Sequence, residues 1–193
     1  MNLREHVVLG GVAAAALYPV LGAQNSAVFW ASSVLIDVDH YWEYLSRNRF
    51  RNWSFRKTFE FHRALFPKIR DPEFLALNLF HTGEYFLLVF LAGLWLGSSA
   101  VIAAFWGMFF HLGLDVARLA WGGATFSRAL SVVEYWIRRH ALLVRGLDPD
   151  RPYRDALAQI GIAAASRPVP VVVADPPPSW PERQSGPPTA LSS

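Results

Sequence analysis

The residues of this chain that could do chemistry fall in five short patches. They are His6, Asp37-Val38-Asp39-His40, His62-Arg63, His81 with Glu84, and His111 with Asp115. Three of the patches join imidazole with carboxylate, and several sit at the edge of a strongly apolar stretch. An ionised group at such an edge is costly unless it is paired, solvated or bound to a metal. Spacings of three (His81, Glu84) and four (His111, Asp115) put each pair on one face of a helix. The chain has no cysteine, which excludes disulfides, thiolate zinc sites and iron–sulfur clusters. A metal would be held by nitrogen and oxygen, which suits zinc first, with manganese and iron as alternatives.

Five histidines (His6, His40, His62, His81, His111) and four carboxylates (Asp37, Asp39, Glu84, Asp115) are available. One catalytic zinc needs about three protein ligands and a water, so the set is rich enough for about two or three ions with bridging carboxylates. Such a centre acidifies water and stabilises charge on attacking and leaving oxygens. Asp39 and Glu84 are the candidates to orient that water or act as general base. Arg63 and its basic neighbours would draw in an anionic substrate, and phosphate esters suit metals and arginines alike.

These groups must be positioned by elements, and the composition says which kind. The 193 residues are 53% hydrophobic and only 17% charged, against about a quarter charged in a soluble domain, so the expected partner is the lipid bilayer. Residues 7–36 and 85–114 contain no Asp, Glu, Lys or Arg. The first stretch is broken near its middle by Pro19, Gly22 and Asn25, which predicts a helical hairpin. The alternative of a signal peptide ending near Leu21-Gly22-Ala23 is opposed by the second apolar run that follows. The second hairpin is expected from arms at Phe74–Leu96 and Ala100–Asp115, joined at Gly97-Ser98-Ser99. The expectation is thus an all-α membrane bundle of about four embedded helices in two hairpins. Surface helices are added over 46–71 and in the amphipathic segment 127–145, whose His140 reads as a solvated or packing residue. A short helix is expected within 152–166. Residues 1–166 make one domain, and 167–193 a proline-rich disordered tail.

The net charge of +3 hides a strong asymmetry: Arg47 to Arg70 holds eight basic residues against one acid, Glu60. No nucleic-acid recognition motif accompanies this basicity, and positive loops beside membrane spans account for it. The positive-inside rule then places the basic loop and both termini in the cytoplasm of a bacterial inner-membrane protein. In that topology all the candidate ligands gather at the cytoplasmic end of the bundle, with His62 in the loop above.

The order of these motifs resembles the prokaryotic membrane-bound metal-dependent hydrolase family. The resemblance runs from His6 through Asp37-Val38-Asp39-His40, His62-Arg63 and His81-Thr82 to His111-Leu112-Gly113-Leu114-Asp115, over roughly residues 1–126. It is similar, more distantly, to the all-helical zinc-dependent phospholipase C superfamily. The resemblance implies a hydrolase of phosphoester or lipid-type substrates, with Asp37, Asp39, His40, His62, His81, His111 and Asp115 as metal or catalytic residues. The chain departs from the family at Ile36, where proline usually precedes the first aspartate. Two other classes stay open: a haem or di-iron redox protein using His81 and His111, and a non-catalytic membrane scaffold whose polar groups pair with one another.

Overall fold

The computed structural model describes residues 3–162, so the tail expected over 167–193 lies outside the described residues. The first helix, α1 (Leu3–Leu35), is two arms rather than one rod, because Gly22 takes a left-handed φ of 72° inside it. Without a Cβ, glycine adopts that conformation at no steric cost. The indole Nε1 of Trp30 donates to the carbonyl of Val7 at 3.0 Å. Twenty-three residues apart on a straight helix, those groups would be about 35 Å distant. A Cβ at Gly10 would collide with Ser33 Oγ, so the arms touch near their open ends. The hairpin expected from Pro19, Gly22 and Asn25 is there, with its turn at the glycine.

The second hairpin joins α4 (Gly83–Trp95) to α5 (Ser99–Trp121) through Gly97, φ 59°. Its entering arm is shorter than the apolar pattern predicts. Residues 74–82 are not α-helical: they hold a two-residue strand, β1 (Ala76–Leu77), and a 3-10 turn at Leu79–His81. Thr82 then caps α4, its hydroxyl accepting from the Tyr85 N–H, as a threonine ahead of a helix start does. β1 pairs in parallel with β2 (Arg128–Ala129), and this pairing holds the strand backbone that the periodicity assigns to a helix.

Two helical stretches, residues 4–47 and Ser99–Trp121, are long and apolar enough to cross a membrane. The 13 residues of α4 reach only about 20 Å, short of the ~30 Å hydrocarbon core. The fold is all-α apart from the small β1–β2 pair. α5 lies along the second arm of α1 so closely that a Cβ at Gly107 would collide with the Phe29 carbonyl and Ser32 Oγ.

The remaining helices form a head on one end of this stem. They are α2 (Val38–Arg47), α3 (Phe55–Leu65), α6 (Val132–Val144) and α7 (Arg151–Gln159). Tyr44, Phe61, Leu65, Phe74, Tyr153 and Leu157 fill the core of the head. Asp150, ahead of α7, accepts from Arg47 of α2 (2.7 Å) and Arg139 of α6 (2.6 Å). Arg47 also lies over the ring of Tyr153 at 3.7 Å. The polar groups named above stand where stem and head meet.

Candidate metal centre

Five separate elements deliver the histidines, and they form one continuous row. His6 stacks on His111 (3.9 Å between ring centroids), His111 meets His81 edge-on (5.3 Å), His81 lies 5.9 Å from His40, and His40 meets His62 edge-on (5.0 Å). His6 comes from the first arm of α1 and His111 from α5, while His81 ends the turn before α4. His40 lies on α2 and His62 on α3. His140, on α6, is exposed.

The centre of the row is fixed from behind. Nδ1 of His111 donates to the backbone carbonyl of Ser33 at 2.7 Å. A carbonyl only accepts, so Nδ1 carries a proton and Nε2 points the other way. Nε2 is buried without a hydrogen-bond partner and faces Asp37 Oδ1 at 3.3 Å and Asp115 Oδ2 at 3.7 Å. An imidazole nitrogen aimed at two carboxylates is held there by a cation between them, a proton or a metal ion. His81 is built alike. Its Nδ1 faces Asp39 Oδ2 at 3.3 Å, and that oxygen is anchored by the Phe80 N–H at 2.8 Å. Its Nε2 is buried, has no hydrogen-bond partner and stands 4.0 Å from Asp115 Oδ2. Burial pushes the His81 imidazole below its ordinary pKa, against the pull of Asp39, so it is neutral and able to ligate at pH 7.

The distances suit a shared ion. Direct charge-assisted hydrogen bonds are about 2.7–2.9 Å long. Two donors each about 2.0–2.1 Å from one tetrahedral zinc stand about 3.3 Å apart. His111 Nε2 to Asp37 Oδ1 and His6 Nε2 to Asp115 Oδ1 are both 3.3 Å. Two ligand sets follow, His6 with His111 and Asp115, all buried, and the half-buried Asp37 with the buried His81 and His111, each close enough to hold a metal ion. Arg128 of β2 donates to Asp115 at 3.1 Å.

Two expected roles need correction. Glu84 does not join the centre. It is exposed at the start of α4, and its carboxylate accepts from Ser131 Oγ (2.6 Å) and the Val132 N–H (3.1 Å), holding the amino end of α6. The spacing from His81 assumed a helix through both residues, and the backbone is a 3-10 turn at His81. Asp39, expected as a ligand and base, stands behind His81 and orients it, the carboxylate–histidine arrangement typical of a supported metal ligand. His40 and His62 leave the central set and lie with Glu43 at the far end of the row. The motifs do not single out Arg128 or Glu43. Arg128 belongs to a basic run that reads as a membrane flank, and Glu43 is screened by the aromatic residues around it.

His81 and His111 touch edge to face, which leaves no slot for a macrocycle between them, so a haem held by that pair does not fit. No family model, curated protein or solved structure matches the chain.

Proposed function

We propose that this chain is a multi-pass inner-membrane, metal-dependent hydrolase whose centre lies at the cytoplasmic end of the helical stem. Its substrate class is an anionic phosphoester or lipid-type ester. The observation that carries this reading is the paired lock on His111: Nδ1 tied to the Ser33 carbonyl and Nε2 aimed between Asp37 and Asp115. His6, Asp37, His81, His111 and Asp115 would hold the metal, zinc before manganese or iron. When bound, the metal supplies Lewis acidity, polarising an ester oxygen and making water a better nucleophile at neutral pH.

The chain's own side chains divide the remaining work. Asp39 keeps His81 in one tautomer and one orientation. Among the three aspartates, Asp37 is the most accessible, its side chain 19% exposed against 6% for Asp115. That makes Asp37 the carboxylate placed to accept a proton from incoming water, the role expected of Asp39 and Glu84. Arg128 commits Nη1 to Asp115, and a guanidinium carries further donors able to take an anionic oxygen.

The membrane setting rests on the stem. Val8, Val12, Val20, Leu87, Leu88, Leu91, Trp95 and Phe109 present an outward apolar girdle, of the kind lipid covers. The basic residues of 47–70 gather on the head, which fits the positive-inside rule.

Elemental analysis of the full chain purified in detergent, beside His111→Gln and Asp115→Asn, tests the reading. Zinc or manganese that copurifies and is lost in both variants is the expected result, followed by hydrolysis of phosphate esters that a chelator abolishes. A well-folded protein that takes up no metal even with added zinc overturns it and favours a scaffold in which a protonated His111 bridges the two aspartates.

A further inference from the structure

At the far end of the histidine row, on the head side, His40, Glu43 and His62 bring their ligand atoms within 4.8 Å of one another. Glu43 comes from α2 one turn after His40, and His62 from α3, so the set spans two helices. Glu43 is 7% exposed, and its Oε1 is buried with no hydrogen-bond partner. A buried carboxylate oxygen without a partner is costly, and a cation is what relieves it. The guanidinium one turn along, Arg47, makes its short contacts elsewhere, on Asp150 at 2.7 Å and over the Tyr153 ring at 3.7 Å, and acts on Glu43 through its charge.

The His62 imidazole is also held as a ligand is held, and the His40 ring is oriented by the Asn78 side-chain amide, which donates to its Nδ1. His62 Nε2 lies 3.0 Å from the carbonyl of His40, which accepts only, so the proton is on Nε2 and the Nδ1 lone pair is left for a cation. His40 Nδ1 is bonded to the side chain of the buried Asn78 at 3.2 Å, and its Nε2 lies 3.5 Å from Asp37 Oδ1. That aspartate oxygen is the one that faces His111 at 3.3 Å. Asp37 therefore stands between the two ends of the row.

We infer that His40, Glu43 and His62 form a second divalent transition-metal site, separate from the His6–His111–Asp115 centre and joined to it through Asp37. Two histidines and one carboxylate leave open coordination positions, the set that zinc and iron(II) take when water or substrate completes the shell. The inference rests on the hydrolase reading only through the shared Asp37; the binding itself requires no activity.

The full chain in detergent is stripped with chelator, loaded with zinc, desalted and its bound metal counted, with cobalt(II) absorption as a second readout. Glu43→Gln and His62→Gln are each expected to hold about one equivalent less than the parent while keeping the metal of the central site, and His111→Gln to keep the equivalent at the second. Retained central metal shows that a variant has folded. Should Glu43→Gln not fold, His62→Gln decides, because its half-buried ring is not part of the core of the head. Parent stoichiometry and an unchanged cobalt spectrum in His62→Gln overturn the second site and leave the hydrolase reading standing. Parent stoichiometry retained in His111→Gln, while His62→Gln loses one equivalent, overturns the hydrolase centre alone. A parent protein that binds no zinc at all overturns both.

Discussion

In the proposed centre, Asp39 would act through His81 without touching the metal. It is buried, anchored by the Phe80 N–H and set against His81 Nδ1. Asp39→Asn is therefore expected to weaken zinc affinity about 10–100-fold without abolishing binding, measured by competition against a chromophoric chelator. Abolished binding would make Asp39 a ligand. His81 supplies the pH dependence. Burial lowers its pKa from the ordinary 6.5, so the imidazole is neutral at pH 7 and remains so somewhat below it. The ligands compete with protons, so zinc affinity should fall as the pH drops below about 7 and His81 protonates. Affinity that rises on acidification would contradict neutral histidine ligands.

At the scale of elements, two contacts set the geometry of the centre. The first is the approach of α5 to the second arm of α1 at Gly107, one turn before His111. Gly107→Val must push the helices apart, at a cost of about 1–3 kcal/mol. It should also lengthen the His111–Ser33 bond and lower metal occupancy, so thermal melting and elemental analysis would fall together. The second is Asp150, which ties α2 to α6. Burial disfavours its charge, but hydrogen bonds from Arg139 and the charge of Arg47 outweigh this and hold its carboxyl below the ordinary 3.8. A depressed carboxylate stabilises the fold above its unfolded pKa and loses that contribution as pH falls through the folded value. Asp150→Asn should cost about 1 kcal/mol at pH 7, discounted because the side chain is 35% exposed. The difference from the parent should shrink and vanish as the pH falls below the ordinary carboxylate range, read from denaturant melts across pH. A pH-independent difference would assign the loss to packing.

At the scale of the whole molecule, the stem carries apolar side chains outward and the head carries the charge. Trp95 is 87% exposed at the tip of α4, and Trp121 and Phe126 project at the junction with the head. Aromatic rings at both ends of an apolar stem are the pattern found at the two interfaces of a bilayer. The full chain should stay with the membrane pellet through an alkaline carbonate wash and leave it only with detergent. Release by carbonate would contradict a chain inserted in the bilayer.

The hairpins and the row of imidazoles could both be read from residue type and spacing, because they follow from local rules. Long uncharged runs need helices, Gly22 and Gly97 supply the left-handed turns, and two reversals carry His6, Asp37, His40, His81 and His111 to one end. What lies behind each ligand was decided by chain segments distant in sequence. The Ser33 carbonyl locks His111 across 78 residues, and Asp39 reaches His81 across 42. The β1–β2 pairing delivers Arg128 to Asp115 and turns the backbone before Glu84, which leaves that carboxylate on α6. Helical spacing describes a residue's own helix only, so it gathered Glu84 into the centre and passed over Glu43. The tertiary fold separated them, because a buried carboxylate is defined by the elements that close around it.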